Sequence, residues 1–159
     1  MEFALRSFTK NDADWLVAVH EQYYSGVHGF DASFGPFVAQ ILGDFLGHHD
    51  PATEAGWIAE SDGVPLGSIF CTDDGDQVAR LRVFYVVEEA RGTGVAQALI
   101  EKCLSFARAA GYVKMVLWTH ECLTAAGAIY RRNGFVRTQA QPVHLFGVNL
   151  VEEDWQIAL

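Results

Sequence analysis

A mixed α/β fold of the α+β type is what the order of segments predicts: a mostly antiparallel sheet with one parallel pair at its centre and helices flanking it. Two observations carry that reading. Between Gly56 and Val86 three apolar runs are separated by tight-turn residues, the pattern of an antiparallel meander. A long amphipathic segment beginning at Val95 then separates this meander from another apolar run, Val113 to Thr119, and a helix-length crossover between strands of one sheet makes them parallel.

The chain has 159 residues, enough for one domain spanning 1–159 with a real hydrophobic core. Half of its residues are hydrophobic and only 19% are charged, which excludes disordered and coiled-coil character. A net charge of −9, with eleven Lys and Arg and none in runs, argues against nucleic acid as a partner, because a phosphate backbone is held by clustered cations. An acidic surface instead favours a cationic partner such as an amine. No signal-peptide pattern opens the chain and no apolar run reaches the length of a membrane span, so a cytoplasmic protein with no membrane partner is expected. Cys71, Cys103 and Cys122 lack paired spacing; the first two read as core residues and Cys122 as the one open to reaction.

Phe3 to Arg6 reads as a first strand, and Thr9-Lys10-Asn11-Asp12 offers a capping box for a helix whose face is Ala13, Leu16, Val19, His20 and Tyr23. That helix loses regularity at Ser25-Gly26, and His20 on its face reads as a satisfied core or interfacial histidine. Gly26 to Ser33 reads as a loop carrying His28, Phe30 and Asp31, and Phe34, Phe37, Val38, Ile41 and Phe45 mark a second helix ending near Gly47. His48-His49-Asp50-Pro51 reads as solvated loop rather than a metal site, because adjacent ligands point in different directions and no partner sits at a ligand interval.

Gly56 to Glu60 and Val64 to Phe70 flank Asp62-Gly63, a hairpin signal; Asp73 to Asp76 makes the next turn, without the twelve-residue loop that calcium needs, and Val78 to Val86 is the third strand of the meander. Beyond the glycine turn at Arg91 to Ala96, Val95, Ala98, Leu99, Cys103, Phe106, Ala107 and Ala110 recur at spacings of three and four and Gly111 supplies the stop. Val113 to Thr119 is the parallel strand, Leu123 to Arg132 a short helix closed by Asn133-Gly134, Phe135 to Thr138 a strand, and alternating Trp155, Ile157 and Leu159 a closing strand.

The chemistry-bearing stretch is Arg91-Gly92-Thr93-Gly94-Val95-Ala96, a tight turn between an apolar strand and a helix start. Free amides of a helix's first turn, with the positive end of its dipole, bind phosphate. A dinucleotide loop would want a third glycine where Gln97 stands and an acid about twenty residues on, and a Walker loop would want Gly-Lys-Ser/Thr; neither is present. What fits is Arg/Gln-x-x-Gly-x-Gly/Ala, met by Arg91, Gly94 and Ala96, and further on Ala126-Gly127-Ala128-Ile129-Tyr130-Arg131-Arg132-Asn133-Gly134-Phe135 matches Ala-x-x-x-Tyr-x-x-x-Gly-Phe. In this order, over roughly Val78 to Thr138, the chain resembles the GNAT superfamily of acyl-CoA-dependent N-acyltransferases. Phe34 to Arg80 and Phe146 to Leu159 more loosely resemble the acetyltransferase half of bacterial proteins fused to a MarR-type regulator.

The resemblance implies a sheet that splays between its fourth and fifth strands, acetyl-CoA as cofactor, and transfer of an acetyl group to a primary amine of a small molecule or peptide. It maps pantetheine contacts onto Phe84, Tyr85 and Val86, with the Val86 amide on the thioester oxygen, and the pyrophosphate onto the amides of Gly92, Thr93, Gly94, Val95, Ala96 and Gln97. Arg91 either joins that site or pairs with Glu88 or Glu89. Tyr130 stands where many members protonate the departing thiolate. The first two helices overhang the acceptor site, so Tyr23, Tyr24, His28, Asp31 and Phe34 are its candidate contacts, or else simply pack the helix pair.

The sequence departs from the family at Leu123, where many relatives carry asparagine, and in lacking a carboxylate base on the fourth or fifth strand. Glu121 and His120, read as just beyond the fifth strand, are the nearest candidates to accept the amine's proton. Many relatives dimerise, which makes a homodimer an expectation. The alternative function is a non-catalytic acyl-CoA sensor or regulatory module.

Overall fold

The computed structural model describes all residues, Met1–Leu159. Its strands are β1 (Ala4–Ser7), β2 (Ala55–Ser61), β3 (Val64–Asp73), β4 (Val78–Val86), β5 (Lys114–His120), β6 (Val136–Leu145) and β7 (Val148–Ala158), and its helices α1 (Ala13–His28), α2 (Phe34–His48), α3 (Val95–Ala109) and α4 (Thr124–Arg132). Short 3₁₀ turns occupy Lys10–Asp12 and Glu88–Ala90. The strands form one sheet in the order β1-β2-β3-β4-β5-β7-β6, in which β1 to β4 pair antiparallel and β4 pairs parallel with β5. No helix is long and apolar enough to cross a membrane.

The chain divides into two compact units: one comprises Met1–Phe8, Asp50–Leu117 and Gln156–Leu159, the other Thr9–His49 and Trp118–Trp155. In the first, α3 packs on β3 and β4. Leu99, Ile100 and Cys103 from the helix and Ile58, Ile69, Phe70, Leu81 and Met115 from the strands are all buried. The hairpin between β2 and β3 turns on Asp62 and Gly63, at φ 51° and 76°, the left-handed pair that a two-residue loop requires. At Gly56 a side chain would run into the Phe70 ring, which explains glycine as the second residue of β2.

In the second unit α1 packs against α2, and Gly35 lets the Glu21 side chain lie directly over the start of α2. Here the structure corrects the sequence reading of α1. The helix passes through Gly26 and stops only at Gly29, which caps it at φ 72°, so His28 lies on the helix rather than in a loop. A single glycine weakens a helix by only about 1 kcal/mol. Ring contacts of Tyr23 and Tyr24 with His28, at 5.7 and 5.8 Å, hold the last turn beyond it. Strands β6 and β7 form a hairpin around Phe146 and Gly147, at φ 54° and 76°. Its first strand is exposed on nearly every residue, which is why only its opening residues read as strand in the sequence.

Candidate active site

In the first unit the site is built where β4 ends. Register with β3 runs Gly67↔Val86 and Ser68↔Tyr85, then shifts so that Phe70 faces Arg82, leaving one extra residue on β4. Val83 takes up that residue at φ 48°, a conformation that strains a β-branched side chain by about 1–3 kcal/mol. Its displaced carbonyl is not left bare: the fully buried Ser68 hydroxyl donates to it at 2.7 Å. Nothing in the sequence pattern announced this bulge.

Past the bulge, the Val87 amide donates to the Leu66 carbonyl at 2.8 Å, so by strand alternation Val86 turns its amide and carbonyl away from β3. Pairing of β4 with β5 covers only Val78↔Lys114, Ala79↔Met115 and Arg80↔Val116. The Val86 carbonyl accepts from Arg91 Nε at 3.2 Å, which places Arg91 back against the strand end. Tyr85 and Val86 are buried and Phe84 is half-buried.

The chain then turns through Glu88–Ala90, where the Thr93 hydroxyl donates to the Ala90 carbonyl, into α3. Gly92 and Gly94 stand at φ 74° and 93°, and a Cβ on either would meet no protein atom within 4 Å. Glycine is thus needed there for backbone geometry, while the space outside remains clear for a ligand. Val95 anchors the turn in the core, and Ala96 and Gln97 are half-buried, with Gln97 Nε2 donating to Glu101 at 2.8 Å.

In the second unit four of the five expected acceptor residues come together as one ring cluster. Tyr24 lies 4.7 Å from Phe34 and 5.8 Å from His28, and Tyr23 lies 5.3 Å from Tyr24. The sequence reading missed that Phe30, Phe37, Trp118, His120 and Phe146 extend it: Phe30 stacks on Phe146 at 5.1 Å, Phe34 meets it edge-on at 4.9 Å, and Phe37 sits 6.0 Å from Trp118. These come from distant segments, so no local pattern links them. Asp31 stands apart. Exposed, it accepts from the Ser33 amide at 2.9 Å and from the Ser33 hydroxyl, bonds that hold its carboxyl below the usual range and shape the turn into α2.

Beside this cluster, Trp118 Nε1 donates to Glu152 at 3.0 Å and Gln141 Nε2 donates to its other oxygen at 2.5 Å. The Gln141 bond and then the Trp118 bond lower the Glu152 pKa. His120 is the last residue of β5, not a loop residue beyond it, and it is buried; burial lowers its pKa against the opposing pull of Glu152 and Glu153. Glu121 is exposed, with its amide donating to the Val151 carbonyl at 2.9 Å. Tyr130 is buried on α4, its ring 5.7 Å from Phe135 and 6.0 Å from Trp155. Cys122 is exposed as a residue, but partial burial of its thiol pushes its pKa up, which lowers the share of reactive thiolate.

Residues 12–135, covering both the glycine turn and the Tyr130 helix, match the model of the acetyltransferase (GNAT) family. The chain belongs to the GNAT family. Among relatives, human N-acetyltransferase 8B is 34% identical over 95 residues, which are 57% of this chain and 42% of that protein. The chain spans roughly half the length of the relatives it matches, from 38% to 60%. A GNAT-family acetyltransferase of Staphylococcus aureus Mu50 superposes with TM-score 0.82 at 14% identity, covering 99% of each chain. The structure of yncA from Salmonella typhimurium with its cofactor acetyl-CoA superposes with TM-score 0.74 at 18% identity, over 100% of this chain and 95% of that one. The GNAT fold, with its mostly antiparallel sheet and single parallel pair, is thereby shown; the narrower likeness to regulator-fused proteins gains no support from these matches.

Proposed function

We propose that this GNAT protein transfers the acetyl group of acetyl-CoA to a primary amine of a small molecule or peptide. The end of β4 carries the reading: pairing with β5 stops at Arg80, and Val86 turns its amide away from β3 just before a glycine turn that opens a fifteen-residue helix. That arrangement suits a ligand with an amide-bearing arm and an anionic head, and coenzyme A has both. Phe84, Tyr85 and Val86 would hold the arm, and the amides of Gly92 to Gln97, at the positive end of α3, would hold the diphosphate. When bound, acetyl-CoA supplies an activated acyl carbon and a thiolate leaving group.

The chain's own residues do the rest. The Val86 amide donates to the thioester carbonyl and stabilises negative charge there as the amine attacks. Tyr130 gives its phenolic proton to the leaving sulfur. Rings of Tyr23, Tyr24, His28 and Phe34 bound the acceptor, with Asp31 at the edge of that loop. Glu121 and His120 are the two candidate bases for the proton the nitrogen loses. A cytoplasmic setting belongs to the same reading, which the three free thiols favour.

The test is release of free thiol from acetyl-CoA against a panel of polyamines, amino acids, antibiotics and peptide amines. Amine-dependent release is expected. Tight cofactor binding with no acceptor-dependent release across the panel would reject it.

A further inference from the structure

The chain has six histidines, and three of them have one ring nitrogen, Nδ1, accounted for by a nearby acceptor. His20 Nδ1 meets the Leu16 carbonyl at 2.7 Å, His49 Nδ1 the Phe45 carbonyl at 2.8 Å, and His144 Nδ1 the Asn149 side chain at 2.9 Å. His120 differs. It is 4% exposed, and its Nε2 is buried with no hydrogen-bond partner. Leaving a buried polar atom unsatisfied costs about 1–3 kcal/mol, so such an atom calls for an explanation, and a catalytic role is one of the few that apply.

The surroundings fix what the atom is fit for. The ring is wedged edge-on among Phe30 from the loop between α1 and α2, Trp118 on its own strand and Phe146 of the β6–β7 turn, at 6.0, 4.6 and 6.4 Å. These are members of the aromatic cluster assigned to the acceptor. The titratable groups that act on it are Glu152 and Glu153 of β7 and His28 of α1. Of these, Glu152 is engaged by Trp118 and Gln141, and Glu153 by Arg137 and Trp155 at 2.9 and 3.1 Å. The two carboxylates are thus committed, while the His120 imidazole keeps a lone pair or N–H at Nε2.

Resting on the acetyl-transfer reading, we infer that Nε2 of His120, rather than the exposed Glu121 carboxylate, takes the proton that the acceptor nitrogen loses as the new C–N bond forms. The amine enters neutral. On bonding to the acyl carbon its nitrogen becomes positively charged and far more acidic than a free ammonium, so a weak base suffices. One N–H proton passes to Nε2, the C–S bond breaks, and the thiolate takes the Tyr130 phenolic proton; the imidazolium proton then returns to the phenolate through solvent. Burial keeps the ring in its neutral, accepting form through the physiological range.

The experiment compares wild type, His120→Asn, His120→Ala and Glu121→Gln in amine-dependent thiol release, with calorimetric binding of acetyl-CoA as a second readout. Both His120 variants are expected to lose about 10²–10⁴-fold in turnover, keep cofactor affinity, and lose the acid limb of the kcat profile, which reports the bound complex; added imidazole should restore part of the His120→Ala rate. Glu121→Gln should keep the acid limb that the His120 variants lose. The proposal is overturned if His120→Asn retains turnover within about threefold, or if Glu121→Gln removes the acid limb instead. Should both His120 variants fail to fold, the kcat profiles of wild type and Glu121→Gln decide: an acid limb with apparent pKa below 6.5 that persists in Glu121→Gln supports the assignment, and its loss in Glu121→Gln, or a wild-type profile flat down to the lowest pH at which the protein stays folded, sinks it. A wild type that binds acetyl-CoA but acetylates no amine removes the acetyl-transfer reading and this one together, whereas turnover that survives His120→Asn removes only this one.

Discussion

Single residues here hold positions that only their chemistry permits. Ser68 is the clearest: its hydroxyl replaces a missing ladder bond at the Val83 carbonyl, in a spot with no access to water. Ser68→Ala should destabilise the protein by about 1–3 kcal/mol in urea titration and weaken acetyl-CoA binding, because the bulge that turns Val86 outward loses its clamp. Gly94 illustrates a second kind of constraint. At φ 93° with clear space around it, Gly94→Ala meets no clash but pays for a left-handed backbone, about 1–2 kcal/mol, and Gly94→Asn should recover part of that loss. Denaturation of the two variants side by side checks the order.

His20 sets a pH dependence. Full burial lowers its pKa from 6.5 to about 4, against a smaller opposing pull from the Leu16 carbonyl. The folded state thus binds this proton less readily than the unfolded chain. Stability is complete above pH 6.5 and falls as pH drops from there towards about 4, by about 3 kcal/mol in all. Urea midpoints should decline across that window, and His20→Gln should flatten the decline.

Among the elements, the β6–β7 turn does more than reverse the chain. Its Phe146 carbonyl accepts from the Asp31 amide at 2.8 Å, and the Phe146 ring joins the cluster, so the hairpin fastens the loop between α1 and α2. Gly147→Ala combines φ 76° with a Cβ placed 2.7 Å from Asp31 Oδ2, and we expect a loss of at least about 2 kcal/mol with a changed near-ultraviolet circular dichroism spectrum from the displaced rings. An unchanged spectrum and melting temperature would show that the fastening is dispensable.

The element scale is also where the sequence was most and least readable. The meander, the glycine turn and α3 were legible because local chemistry dictates each: Asp62-Gly63 for the hairpin, period-two apolar runs for strands, and spacings of three and four for the helix. The α1 boundary was not, because tertiary ring contacts overrode the penalty at Gly26. Most of β6 was not, because a strand exposed on nearly all its residues carries no alternation to read. The glycine turn proposed to hold the cofactor lies on one contiguous stretch, so its backbone geometry was legible; the aromatic cluster is assembled from residues as far apart as Tyr23 and Phe146, and its membership is a product of folding.

For the whole molecule, the two units are each discontinuous in sequence: the first is stitched from three segments, the second from two, and β5 runs from one into the other at Leu117 and Trp118. Neither can complete its own fold before much of the other's chain has been placed. We therefore expect one cooperative unfolding transition, as for a single domain, with fluorescence of Trp57 in the first unit and Trp118 in the second changing together in single-tryptophan variants. Separate midpoints would mark two domains.

The short β4–β5 register bears on handling the protein as well as on its chemistry. A strand end that shows its main chain to an incoming segment is sticky, and the natural visitor is also what keeps others out. Protein stored without coenzyme A should scatter light sooner on warming than protein stored with it, and by a margin that grows with ligand concentration. In this reading the cofactor acts as a shelf-life additive before it acts as a reagent.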